Sequence, residues 1–230
     1  MININHYIRV QKERIAYELR AAKLAENGAP KDEVEFWLSI ASKLSDEEDR
    51  LEKEIKRYAE QHPLYQAFVS RVKGIGPQLF GKIILRLDHI GIHNFKYPSS
   101  LWRWCGLAVK DGIAQNRLTG KDAQEWKFDR DIRRFLYQLG ECFVKVGGYY
   151  REHYDRFKAQ SLLKHPDWNP GHHHNHAMRL TVKLFLAHLW EEARKLHGLP
   201  VHQPFAIDKL GHTTYYSPKL EKPERKRCVY

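Results

Sequence analysis

Apolar residues recur at helical spacing along most of the chain, and this pattern predicts a mainly α fold. The first stretch covers residues 1–27 and ends where Gly28 and Pro30 interrupt the periodicity. A second apolar stripe runs over residues 32–60, and dense alternating charge covers its other faces. We therefore expect an N-terminal helical hairpin or coiled coil over residues 1–62.

A tight turn between two helical patterns follows in the sequence VKGIGPQLFGKIILRL. Gly74 and Gly76 permit positive φ and the close approach of another backbone, and Ile75 between them can anchor the turn. Pro77 suits the first turn of the next helix, where its missing N–H costs nothing. This order is that of a helix-hairpin-helix motif, and it predicts such a domain over residues 63–215.

The start of the second helix in this motif suits a phosphate oxygen, because its free amides and positive dipole end attract anions. Lys73 adds a cation at the same place, and such a grip needs no contact with a base. The alternative is a plain helical corner that uses glycine. The predicted nucleic-acid contacts here and further along the chain are Lys73, Gly74, Ile75, Gly76, Gln78, Lys82, Arg86, Lys110, Arg133 and Arg134.

Composition strengthens the nucleic-acid interpretation, because 39 Lys and Arg residues outweigh 28 Asp and Glu residues and give a net charge of +11. A basic protein of this size is typically a partner of a polyanion. No apolar run reaches the roughly 20 residues of a membrane span, and the N-terminus lacks the apolar segment of a signal peptide. We therefore expect a cytoplasmic protein without a membrane partner. Three widely spaced cysteines form neither a disulfide framework nor a CxxC metal site.

The segment after the hairpin, DHIGIHNFKYPSSLWRWCGLAV, carries a resemblance to a known family. The matching positions are Phe95, Lys96, Pro98, Leu101, Trp104, Gly106, Leu107 and Ala108, followed further on by Ile132, Arg133, Arg134, Phe135 and Leu136. Together with the GIGP turn, they resemble the C-terminal domain of the IS-one-ten and IS-one-sixteen insertion-sequence transposases, the bridge-RNA-guided recombinases. The resemblance implies a prokaryotic, nucleoid-associated protein of a mobile element that binds DNA, with RNA as a further partner.

Two features of that family have no counterpart in this chain. Its members carry an N-terminal RuvC-like domain whose acidic residues bind metal, whereas this sequence opens on the helical segment. The family also has a catalytic serine shortly after the GLAP segment, and the corresponding stretch GLAVKDGIAQNRLTGKD holds only the hydroxyl of Thr119. We therefore expect a transposase-like protein that is not an enzyme and has no catalytic residue.

The sequence NPGHHHNHAMRL offers the strongest alternative chemistry. His172 and His176 fall at i and i+4 of a predicted helix, a spacing that can seat zinc or another divalent metal, although no HExxH or CxxC accompanies them. Such a site supports a metal-dependent nuclease or recombinase, with Tyr215 or Tyr216 as a possible nucleophile. The competing interpretation makes these histidines structural and leaves the protein without a cofactor.

The sequence thus predicts a DNA-binding protein that grips the phosphate backbone without sequence specificity. An RNA-binding protein and a metal-dependent nuclease are the alternatives. The apolar stripe of the second helix needs a cover, either from the first helix or from another chain, and we expect a homodimer. Residues 216–230 are charged and contain proline, and they predict a basic, flexible tail that adds affinity for phosphate.

Overall fold

The computed structural model describes residues 2–201 and Tyr216, and over this part of the chain the fold is mainly α, as the sequence predicts. Its helices are α1 Ile4–Glu26, α2 Lys31–Gln61, α3 Pro63–Ala67, α4 Pro77–Ile90, α5 Pro98–Trp104, α6 Gly120–Glu125, α7 Arg130–Val146, α8 Tyr149–Lys164 and α9 Pro170–Leu196. Two short strands, β1 Val109–Lys110 and β2 Ile113–Ala114, form an antiparallel hairpin.

The chain divides into two compact units, residues 1–60 and residues 61–230. The first unit contains α1 and nearly all of α2, and the second contains the remaining helices and the strand hairpin. The tail predicted over residues 216–230 lies outside the described residues except for Tyr216. None of the helices in the described ranges is both long and apolar enough to cross a membrane.

The first unit is an antiparallel helical hairpin, because early residues of α1 meet late residues of α2. The Tyr7 hydroxyl donates a hydrogen bond to Glu52 at 2.9 Å, and Arg14 Nε lies 2.6 Å from Glu48 Oε2. At the other end of the hairpin, the rings of Tyr17 and Trp37 stack with centroids 5.4 Å apart. Some charges of these helices therefore join α1 to α2, whereas others, such as Arg50 with Glu47 and Glu54, pair within one helix.

The second unit is built around α9, which packs against α3, α5, α7 and α8. Its core consists of fully buried aromatic and aliphatic side chains, among them Phe68, Phe80, Phe135, Phe143, Phe185, Leu189 and Trp190. Gly140 lets α7 approach α9 closely, because a Cβ atom there would lie 2.5 Å from Met178 Cγ. This close packing fixes the faces of α7 and α9 that form the site described below.

The segment that opens with Pro63 is not one continuous helix. The α-helix ends at Ala67, and residues 69–71 form a 3-10 turn. Leu64, Phe68 and Val69 are all buried, so the change of helix type accommodates two adjacent core residues at the end of a short helix.

Candidate nucleic-acid interface

The turn between α3 and α4, which we call the glycine hairpin (residues 72–78), uses its two glycines differently. Gly74 has φ of +98°, and a Cβ atom there would lie 2.9 Å from Phe143 Cδ1. Gly76 is the N-cap of α4 at φ of −89°, and a Cβ atom there would meet nothing within 4 Å. Ile75 between them is 6% exposed. The fold therefore requires glycine at position 74, whereas position 76 is open to solvent.

The start of α4 has the features that a phosphate contact needs. Pro77 occupies its first turn, and no side chain caps the helix. Lys73 is exposed beside it, as is Gln78, and Lys82 is half-buried one turn further on. The hairpin is thus an accessible helix start beside an exposed cation.

Phe80 stands where this type of motif commonly has a small residue, and the structure shows how it is accommodated. Its side chain is fully buried, with its ring centroid 5.7 Å from that of Tyr65 and 5.9 Å from that of His62. Gly81 beside it is also buried. A large aromatic residue thus fills the space between α3 and α4.

Two predicted contact residues already have carboxylate partners. Arg86 Nη2 lies 3.1 Å from Asp131 Oδ2, and its Nη1 lies 3.4 Å from Asp129 Oδ2. Lys110 pairs with Asp122, and this hydrogen bond raises the pKa of the lysine. Each cation would have to leave its partner to bind phosphate, so their role as contacts stays a prediction.

A larger concentration of positive charge lies in a cavity of about 890 Å³ between the strand hairpin, α7 and α9. We call this cavity the arginine pocket, after the five arginines in its lining: Arg117, Arg130, Arg133, Arg134 and Arg179. The described residues that line it include no aspartate or glutamate. The glycine hairpin and this pocket are separate places: Arg133 and Phe143, which contacts Gly74, lie about 15 Å apart along α7 at 1.5 Å per residue.

The arginines of the pocket have few acceptors within the protein. Arg133 donates a hydrogen bond to the carbonyl oxygen of Gly106. Nε and Nη2 of Arg134 and Nε of Arg179 are buried and have no hydrogen-bond partner. In the part of the chain that the structure describes, no ion pair joins the five arginines to a carboxylate. Buried guanidinium groups without acceptors are costly, so the pocket is arranged for an anion from outside.

Burial is the main cause of the lowered pKa values in and beside the pocket, and neighbouring cations add to it for all but Arg179. Burial, reinforced by Arg179, lowers the pKa of Arg133, and burial alone lowers that of Arg179. The Lys183 ammonium follows on α9, and burial with the charge of Arg179 lowers its pKa to about 8. Burial, together with Arg179 and neighbouring cationic groups, lowers the pKa of His176 to about 4. A bound anion would reverse these shifts, because it favours the charged forms.

The predicted histidine pair lies in this same pocket. His172 and His176 both line it, beside Trp168. The indole of Trp168 is stacked between His165 and His172, with ring centroids 3.9 Å from each. Within the described residues, no group of three His, Cys, Asp or Glu side chains could hold a metal ion. The metal at His172 and His176 stays a prediction, and the pair shares its cavity with five arginines.

Local structure explains how the chain brings these groups together. Asp129 caps α7 by accepting from the amides of Asp131 and Ile132, which places Arg133 and Arg134 in its first turns. Asn169 caps α9 through the amide of His172. The strand hairpin turns at Asp111 and Gly112, which have φ of +49° and +79° and suit a two-residue turn. These caps and this turn fix three walls of the pocket.

Sequence reasoning found part of this site and missed the rest. Arg133 and Arg134 were predicted contacts, and His172 and His176 a predicted metal pair, but nothing connected the two sets. Arg179 and Lys183 were not among the predicted site residues, and both are partly buried on α9. The signal was present, because residues 172, 176, 179 and 183 follow helical spacing and form one stripe of basic side chains on α9.

In comparisons with known proteins, no family model matches the chain, and no curated protein sequence matches it.

Proposed function

We propose that this protein binds DNA through its phosphates, without reading sequence and without catalysing strand cleavage or transfer. The observation that carries the proposal is the arginine pocket, where five arginines lie in one cavity whose described lining contains no carboxylate. The resemblance of the hairpin and the following segment to a transposase C-terminal domain points in the same direction.

The phosphates of a nucleic acid suit this pocket better than the anionic groups of other cellular polyanions. Guanidinium groups donate several hydrogen bonds in a fixed plane and match phosphate oxygens in pairs. Charge-assisted hydrogen bonds of this kind contribute about 1.5–3 kcal/mol each. Because the donors contact the backbone and not the base edges, the resulting affinity is similar for different sequences.

The glycine hairpin is proposed as a second and weaker contact. Lys73 is exposed beside the uncapped start of α4, and one cation adds one phosphate to the footprint. Its separation of about 15 Å from the pocket along α7 allows one nucleic-acid molecule to reach both places. The pocket dominates the affinity, since it holds more charge in a drier environment.

The proposal is tested by titrating labelled single-stranded, duplex and branched DNA, and RNA of the same sequences, at several salt concentrations. The test variant is the double substitution Arg134→Gln/Arg179→Gln, and we expect its affinity for DNA to fall about 100-fold. The matched control is Lys145→Gln/Lys164→Gln, which removes the same formal charge from exposed positions on α7 and α8. Equal losses in the two variants would show that net charge alone matters, and tighter binding of RNA would favour the RNA-binding alternative.

Two remaining expectations have direct tests. Nicking of supercoiled DNA with Mg²⁺, Mn²⁺ or Zn²⁺ that disappears in a His172→Ala/His176→Ala variant would replace this proposal with the metal-dependent nuclease. The homodimer is proposed from the N-terminal hairpin, which exposes Leu19, Phe36 and Leu38. Light scattering at high protein concentration measures the molar mass, and a monomer would contradict the dimer.

A further inference from the structure

We propose that the arginine pocket binds the phosphorylated end of a nucleic-acid strand, with the terminal phosphate among the arginines and the adjoining base stacked on Tyr137. This inference rests on the proposed DNA-binding function and names the part of the DNA that the pocket takes. It follows from three properties of the pocket: its recessed form, its excess of donors and its open aromatic side chain.

The recessed form favours a chain end. Arg133, Arg134 and Arg179 are partly buried in a cavity of about 890 Å³, which is the size of a site for a small molecule. An internal phosphate is bonded to a nucleotide on each side, so an open groove suits it best. A terminal phosphate is bonded to one nucleotide only, so it can enter a cavity while the rest of the strand lies outside the cavity opening.

The number of donors also favours a terminal phosphate. A phosphomonoester carries about −1.5 to −2 charges at pH 7 and presents three strong acceptor oxygens. An internal diester carries a single charge and has fewer free oxygens. Arg133, Arg134 and Arg179 line one cavity, and Arg179 is close enough to add to the burial that lowers the pKa of Arg133. Arg117 and Arg130 lie exposed in the same lining. A dianion compensates such a cluster better than a monoanion does.

Tyr137 gives the pocket an aromatic side chain that a base can reach. It lies one helical turn after Arg133 and Arg134 on α7, lines the cavity, and is 52% exposed. Trp168 lines the same cavity, but the rings of His165 and His172 cover both of its faces. Stacking on an aromatic side chain tolerates any base, which agrees with binding that does not depend on sequence.

The test is a competition experiment with one short single-stranded oligonucleotide in three forms: 5′-phosphorylated, 3′-phosphorylated and unphosphorylated. We expect a terminal phosphate to raise affinity about 10-fold or more, and Arg134→Gln/Arg179→Gln to remove this difference. Tyr137→Leu should weaken binding of the phosphorylated form about 5- to 10-fold, whereas Tyr137→Phe should preserve it. Circular dichroism and thermal unfolding check that each variant is folded. If the double variant does not fold, Arg117→Gln at the exposed edge of the pocket takes its place.

The outcomes separate this inference from the function on which it rests. Equal affinity for phosphorylated and unphosphorylated forms overturns the strand-end site and leaves DNA binding intact. Failure of every oligonucleotide to bind overturns the DNA-binding function itself. A mononucleotide or inorganic phosphate that binds as tightly as the phosphorylated oligonucleotide also overturns the strand-end site, because the ligand would then be a free phosphate compound.

Discussion

The glycine hairpin and the arginine pocket differ in how their parts lie along the chain. The hairpin is a continuous stretch of seven residues, 72–78, whose spacing can be recognised in the sequence. The pocket is assembled from the strand hairpin, the start of α7 and the start of α9, which are far apart in sequence. The glycine hairpin follows a known sequence motif and has one exposed cation at its start. The arginine pocket follows no known motif and contains five arginines.

The difference shows that a motif and a site are recognised by different physical properties. Spacing of glycine and proline reports backbone conformation, and the backbone of the hairpin does turn with φ of +98° at Gly74. It does not report whether a nearby cation is free to bind a ligand. Arg86 was a predicted contact, yet it pairs with Asp129 and Asp131, whereas Arg179 has no carboxylate partner in the described part of the chain.

The largest expected effect separates the two glycines of the hairpin. Gly74→Val places a branched side chain at positive φ and against the buried ring of Phe143, so it combines backbone strain with overpacking. We expect the free energy of unfolding to fall by about 2–5 kcal/mol, as measured by denaturant titration. Gly76→Val is the control, because a Cβ atom at position 76 meets nothing within 4 Å. The free energy of unfolding of this variant should change by less than about 1 kcal/mol. Similar stability of the two variants would contradict the structural role of Gly74.

The second expected effect separates a paired cation from an exposed one. Arg86→Leu removes the partner of Asp129 and Asp131, so we expect a loss of about 1–2 kcal/mol in stability without a change in the salt dependence of DNA binding. Lys73→Gln should leave stability unchanged and reduce the slope of log K against log salt by about 0.9. A reduced slope for a folded Arg86→Leu protein would show that this arginine leaves its carboxylates to bind phosphate.

Most of the fold could be predicted from the sequence, because helical periodicity depends on neighbours three or four residues away. The N-terminal helical hairpin and the turn before Pro77 are of this kind. The strand hairpin was missed, although Asp111 and Gly112 between Val109 and Ile113 are a known turn signal, because two-residue strands carry almost no periodicity.

The site was harder to predict, because its chemistry depends on contacts between distant segments. The pairing of Arg86 with Asp131 joins residues 45 positions apart, and no local pattern indicates it. Arg179 was not among the predicted contacts, because a helix with several leucines suggests a single buried face. Because α7 approaches α9 closely at Gly140 and the strand hairpin lies opposite, a second face of α9, which carries Arg179, lines a cavity.

A third expected effect concerns the contribution of the hairpin to DNA binding. Gly76→Val keeps the fold but places two methyl groups beside the start of α4, where a phosphate would approach. We expect affinity for duplex DNA to fall about 3- to 10-fold, measured by gel shift with the Arg134→Gln/Arg179→Gln variant in parallel. Unchanged affinity in a folded Gly76→Val protein would make the hairpin a structural corner and leave the pocket as the binding region.

The smallest expected effect is the pH dependence of anion binding in the pocket. In the ligand-free protein, burial lowers the pKa of His176 to about 4, below its unfolded value of about 6.5. Between these two pH values the unfolded chain holds a proton that the folded chain lacks, so stability falls as pH falls from 6.5 towards 4. The charged or titratable groups that act on His176 are Arg179, His165, His172 and Lys183, all basic, so no carboxylate offsets this loss.

A bound dianion should recover that loss, because it stabilises the protonated imidazole and raises its pKa. Sulfate is the suitable probe, since it keeps its two charges across this range whereas phosphate does not. We expect sulfate to raise the melting temperature more at pH 5.5 than at pH 8, by an amount equivalent to about 0.3–1 kcal/mol, because His176 is only half-buried and solvent screens the interaction. His176→Gln should reduce the pH dependence of the sulfate effect and leave only the part that comes from His172 and His165, while His89→Gln, at an exposed histidine on α4, should leave it unchanged. A sulfate effect that is the same at both pH values in the unmodified protein would place the bound anion away from His176 and out of the arginine pocket.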